Sequence, residues 1–158
     1  MNKYQPHIYI LCEDDANRQI VNGFVLDPSL NVRVIQVLPL ARGWEKVRDD
    51  FADTHIKTMS QYAHRHMVLV VDFDGVNNRL EQIKQVIPPI LEDRVFVLGV
   101  LKEPEDLPSK LGTLEQIGQN LAKDCRENTN ITWGHELLKH NAEELKRMTP
   151  ILKPILFP

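Results

Sequence analysis

Two short acidic groups follow two apolar runs in this chain. HIYILC, residues 7–12, leads straight into Glu13-Asp14-Asp15, and MVLVV, residues 67–71, leads into Asp72-Phe73-Asp74-Gly75. A carboxylate at the end of a buried strand costs several kcal/mol to desolvate unless something there uses its charge. Several carboxylates within a few ångströms also raise one another's pKa. A divalent cation relieves both penalties. Magnesium suits such a site, because it takes oxygen ligands, usually one or two carboxylates with waters completing the octahedron. The D-x-D spacing fits this chemistry: residues i and i+2 of an extended segment point to one side, so Asp72 and Asp74 can approach one ion while Phe73 turns into apolar packing. Gly75 permits the turn that follows. Simpler roles stay open, since Asp14 and Asp15 are also helix caps and Asp74-Gly75 is also a turn signal. Glu13, between strand and cap, has the weakest simple explanation.

These acids meet only if the elements carrying them are neighbours. The chain alternates strand-like runs with helical patterns, without internal repeats or low-complexity stretches. His7 to Cys12 is the first strand, nearly continuously apolar as in sheets covered on both faces. A helix capped by Asp14 or Asp15 runs to about Leu26, with Ile20, Val21, Phe24 and Val25 as its stripe. The second strand, Val32 to Leu38, stops at Pro39. Val47, Phe51, Ile56, Met59 and Tyr62 recur at helical spacings and predict one or two helices between Arg42 and Ala63. Met67 to Val71 is the third strand. A helix to Leu91 follows, broken or kinked at Pro88-Pro89, then a fourth strand from Val95 to Leu101. Lys102 to Gly112 reads as a loop, and Leu114–Cys125 and His135–Met148 as helices. The tail ILKPILFP is apolar enough to dock on the body, on a second copy or on a partner subunit. This order predicts an α/β, Rossmann-like three-layer domain, with about four mostly parallel strands and helices on both faces. Its core would span about 7–107 and a C-terminal helical segment about 113–158. In such sheets functional groups gather beyond the carboxyl ends of the strands.

A Glu after the first strand and a D-x-D after the third resemble the TOPRIM domain of topoisomerases, primases and OLD-type nucleases, here standing alone. The resemblance covers roughly residues 7 to 107, although Asp14 stands where the family usually has Gly. It implies that Glu13 is a metal ligand or general acid/base and that Asp72 and Asp74 hold magnesium. Asp14, Glu103 and Glu105 are candidates for the further acids of OLD-type members. The implied chemistry is phosphodiester hydrolysis or phosphoryl/nucleotidyl transfer on DNA or RNA, where metal ions stabilise attacking and leaving oxygens. ILCEDDANRQI is also similar to the start of a signalling receiver domain, with Asp72 as phosphoacceptor and Lys102-x-Pro104 echoing its Lys-Pro. The span from Asp72 to Lys102 has room for one helix and one strand, where a receiver needs two of each. A third reading is an α/β interaction module whose acids are solvated or paired with Arg42, Lys46 or Lys102.

The rest of the sequence narrows the classes. The chain has 158 residues, 42% of them hydrophobic and 26% charged, with a formal charge of −3. That balance is globular, and too acidic for a protein that coats nucleic acid. Arg42, Lys46 and Arg48 follow the second strand and could contact a phosphate backbone from the acid edge, with Lys102 a further substrate-binding candidate. The longest apolar runs fall far short of the roughly 20 residues of a membrane span, and the N-terminus does not read as a secretory signal. Cys12 and Cys125 form no C-x-x-C pair, and with these features the chain reads as cytoplasmic. His64-x-His66 lacks further ligands at zinc spacing. Trp133 reads as an anchor for the C-terminal helix. No P-loop, dinucleotide-binding or G-x-S-x-G motif occurs.

Overall fold

Every residue of β1, His7–Cys12, is buried, and the strand lies at the centre of the sheet. The computed structural model describes residues 1–107 and 111–158. Residues 108–110 of the expected 102–112 loop lie outside the described residues. β1 pairs in parallel with β2, Ile35–Val37, and with β3, Arg65–Val70; β3 pairs in parallel with β4, Val95–Leu98. The order is β2-β1-β3-β4, all parallel, with helices on both faces. This is the Rossmann-like three-layer α/β architecture that the alternation predicts.

Period-two alternation sends side chains to two cores. Tyr9, Leu11, Met67, Leu69, Val95 and Val97 meet Val47, Phe51, Met59, Ile83 and Leu91 on one face. Ile8, Ile10, Cys12, Val68, Phe96 and Leu98 meet Val21, Met148, Leu152 and Leu156 on the other. The first face is covered by α2 (Trp44–Asp50), α3 (Ile56–Gln61) and α4 (Arg79–Lys84). The second is covered by α1 (Asp15–Val25) and α6 (Ala142–Leu156), and α5 (Leu114–Glu127) packs on α1. A π-helical turn, Phe51–His55, joins α2 to α3 without a break. Its Ile56 N–H bonds the Phe51 carbonyl, so the five-residue step between these two apolar positions stays on the covered face.

The structure moves several boundaries. The first half of the expected second strand is a 3-10 turn, Val32–Val34, started by the Asn31 side chain accepting from Arg33 N–H. The expected helix to Leu91 is only the short α4, followed by a 3-10 segment, Pro89–Arg94. Pro88 and Pro89 bring no N–H for an α-helical ladder there. β4 ends at Leu98 rather than Leu101. The largest correction is at the C-terminus, where the expected His135–Met148 helix and separate docking tail are replaced by one helix, α6, beginning at Ala142 and running through Pro150 and Pro154. The two prolines are four residues apart on the exposed side, where water can satisfy the carbonyls they leave free. Met148, Leu152 and Leu156 on the opposite side are buried against the sheet.

Side chains of α6 and of the turn before it lie along the outer edge of β4. Glu144 Oε2 accepts from Val97 N–H at 2.8 Å, and Asn141 Oδ1 accepts from Gly99 N–H at 3.1 Å. Asn141 Nδ2 donates to the Gly99 carbonyl at 2.9 Å, and Arg147 Nη2 to that of Val95 at 2.9 Å. The outer edge of β4 is thus satisfied by side chains.

Candidate functional site

Because β1 and β3 are neighbours with Cys12 opposite Val70, the chain leaves both strands at the same point on the sheet edge. Glu13 continues the ladder with its N–H to the Val70 carbonyl, 2.9 Å. Its side chain turns toward β3, and Oε2 accepts from Asp72 N–H at 2.7 Å. Asp14 begins α1 in a capping box: Oδ1 accepts from Asn17 N–H at 3.1 Å, while Asn17 Oδ1 accepts from Asp14 N–H at 3.2 Å. The buried amide of Asn17 then donates from Nδ2 to Asp72 Oδ1 at 2.8 Å. The first turn of α1 therefore fixes the Asp72 carboxylate.

Past Asp72 the backbone turns sharply. Asp74 has φ 51° and Gly75 φ 69°, both left-handed. A non-glycine residue there stores strain that its surroundings must hold. Asp74 and Gly75 donate their N–H groups to the carbonyls of Lys102 and Leu101, at 3.3 and 2.8 Å. Arg79 clamps the turn from inside: one nitrogen, Nη1, donates to the Asp72 carbonyl at 3.0 Å and to Asp74 Oδ2 at 2.9 Å. Its guanidinium lies over the Trp44 ring, 4.2 Å from the centroid.

The charges are not at ease. Burial pushes the Asp72 carboxyl up to about 8; the Asn17 hydrogen bond pulls the other way, while the Asp14 and Glu13 charges and a shared contact with Asp14 add to the rise. Glu13 is also raised, chiefly by burial, with the Asp72 N–H and Arg79 opposing and Asp14 and Asp74 contributing. The acidic neighbours Asp14 and Asp74 thus add to what burial does to Glu13, as Asp14 and Glu13 do at Asp72. Among the described residues, no three His, Cys, Asp or Glu side chains form a ready-made metal cage. Magnesium asks for less, one or two carboxylates with water. The donor set fits it, being all oxygen, with each carboxylate spending one oxygen on a protein donor.

The remaining candidates fall around this cluster unevenly. Arg42, at φ 70°, donates its backbone N–H to the Glu13 carbonyl at 2.7 Å, and its side chain is exposed. Lys46 is exposed on α2. Lys102 touches the turn through its carbonyl and has an exposed side chain. Glu103 and Glu105 are exposed at the 3-10 turn Pro104–Asp106, with no hydrogen bond to the acids among the described residues. His64 is exposed beside β3, and Trp133 is tied by Nε1 to the Leu121 carbonyl at 3.2 Å.

Asn17, Arg79 and Trp44 belong to the site although the sequence pattern does not single them out. Asn17 carries a readable signal, a polar residue at the third position after a capping Asp. Arg79 and Trp44 carry none, because they meet across two covering helices. The fold and these residues define a class: a parallel α/β domain whose acids converge at the carboxyl edge of two neighbouring strands. Comparison with protein-family models, with curated proteins and with solved structures finds no match to this chain.

Proposed function

We propose that the chain is a TOPRIM-like domain acting on a phosphodiester bond of DNA or RNA with magnesium held by Asp72 and Asp74, and with Glu13 and Asp14 beside it. The observation that carries this reading is the hydrogen bond from Asp72 N–H to the Glu13 carboxylate, which joins the acids of two strand ends into one cluster. Bound there, the ion would supply electrophilic stabilisation of the phosphate oxygens. Glu13 is the proton-transfer group: burial moves its pKa toward the working range of a general acid or base. Asn17 orients Asp72, and Arg79 holds the backbone of the D-x-D turn by donating to the Asp72 carbonyl. Arg42, Lys46 and Lys102, all exposed near this edge by their place in the chain, are the cations for a phosphate backbone.

The receiver reading has less support. One helix and one strand separate Asp72 from Lys102, and the place of a fifth strand beside β4 is taken by side chains of Asn141, Glu144 and Arg147. Calorimetric titration with magnesium, on wild type and Asp72→Ala, tests the proposal together with a nuclease assay on labelled DNA and RNA. The expected outcome is binding lost in the variant and metal-dependent cleavage by wild type. Binding without cleavage would turn the question to phosphorylation of Asp72. No binding at all would leave an interaction module.

A further inference from the structure

We propose that Arg79 is the resident counter-cation of the acid cluster, and that a divalent cation reaches Asp74 only by displacing it. The inference rests on the magnesium reading above and adds a device to it. Arg79 is 7% exposed, and a buried cation in an apolar setting requires a compensating charge. The only ion pair it makes among the described residues is with Asp74. Its Nε, also buried, has no hydrogen-bond partner among the described residues, so there the guanidinium is held by Asp74, the Asp72 carbonyl and the Trp44 face rather than by a full set of acceptors.

A second cation near Asp72 and Asp74 would sit against that guanidinium and repel it. The two partners differ in access. The Asp74 side chain is 42% exposed and the Arg79 side chain 8%, so an ion approaches Asp74 from solvent while Arg79 approaches from the protein side. Asp74 also has the means to move, since its left-handed backbone is strained and is held partly by the bond to Arg79 itself. The consequence is a site that keeps its shape without an ion and binds one more weakly than its acids alone would. Trp44 reports the exchange, because it stacks on the group that is displaced.

The experiment uses the full chain carrying Trp133→Phe, which leaves Trp44 as its one tryptophan. Magnesium chloride is expected to produce a saturable change in Trp44 fluorescence, absent in Asp74→Asn. Arg79→Met, which keeps an apolar chain on the ring but removes the charge, is expected to bind magnesium roughly tenfold more tightly by calorimetry. Magnesium binding that leaves Trp44 unmoved, or that Arg79→Met leaves equal or weaker with its melting transition intact, overturns this inference alone. If Arg79→Met does not fold, the Trp44 titration decides. An absence of binding in wild type overturns the magnesium reading and the inference with it.

Discussion

At the scale of single residues, the acids of this site oppose the fold they belong to. Asp72 is a strand-end carboxyl raised to about 8 by burial and by its acidic neighbours. A group whose folded pKa exceeds its unfolded value contributes stability that is complete below the unfolded value and is lost as pH rises through the folded one. The window here runs from ordinary carboxylate pH to about 8. Asp72→Asn keeps the shape and the contact with Asn17 but cannot ionise. Thermal melts should therefore show the variant more stable than wild type at pH 8, with the advantage vanishing near pH 4. An advantage that does not depend on pH would mean that the Asp72 charge is not the source. Such a stabilising loss is what a functional carboxylate, kept at the expense of stability, should display.

At the scale of elements, two contacts decide how the covering layer sits. α1 and α5 cross at their glycines: a Cβ on Gly118 would lie 1.9 Å from the Ile20 carbonyl oxygen, and one on Gly23 1.9 Å from that of Glu115. Gly to Ala inside a helix normally gains about 1 kcal/mol. Here the sign should reverse, with Gly118→Ala losing roughly 2–3 kcal/mol in denaturant unfolding because backbone must move. The second contact is Glu144 on the edge of β4. Its burial raises the carboxyl pKa, but hydrogen bonds from Arg147, Lys84 and the Val97 N–H outweigh that and leave it lowered. A lowered pKa contributes stability present above the unfolded value and lost as pH falls through the folded one. Glu144→Gln should accordingly cost about 2 kcal/mol at pH 7, by loss of charge-assisted hydrogen bonds, and progressively less as acid protonates the wild-type carboxylate. Urea melts from pH 7 downward check it, and the trend is opposite in sign to that at Asp72.

At the scale of the whole molecule, sheet, acids and covering helices form one thermodynamic system. A ligand that binds the folded chain alone raises its melting temperature by mass action. Magnesium should raise Tm, and the rise should grow from pH 5 to pH 8 as the proton leaves Asp72. Differential scanning calorimetry with magnesium or with a chelator measures it, and a flat response would count against the proposed function. Among the described residues no helix is long and apolar enough to cross a membrane. The apolar C-terminal residues, open to several partners from sequence, are spent on the protein's own sheet through Met148, Leu152 and Leu156.

The alternation of apolar runs and helical stripes by itself determined an α/β architecture with helices on both faces. It also placed Glu13, Asp72 and Asp74 at strand ends, because burial on both faces leaves a local mark in β1 and β3. It could not determine where α6 begins or that it passes through two prolines, since a proline's cost depends on whether water reaches the freed carbonyl. That Asn141 and Glu144 would close an edge strand was equally out of reach, as a side chain's backbone partner forty residues away has no local pattern. The same holds for Arg79 and Trp44, whose contact exists only once α2 and α4 cover one face. The strand order decided most. With β1 beside β3, two unconnected acidic turns become one cluster, and only tertiary structure supplies that adjacency.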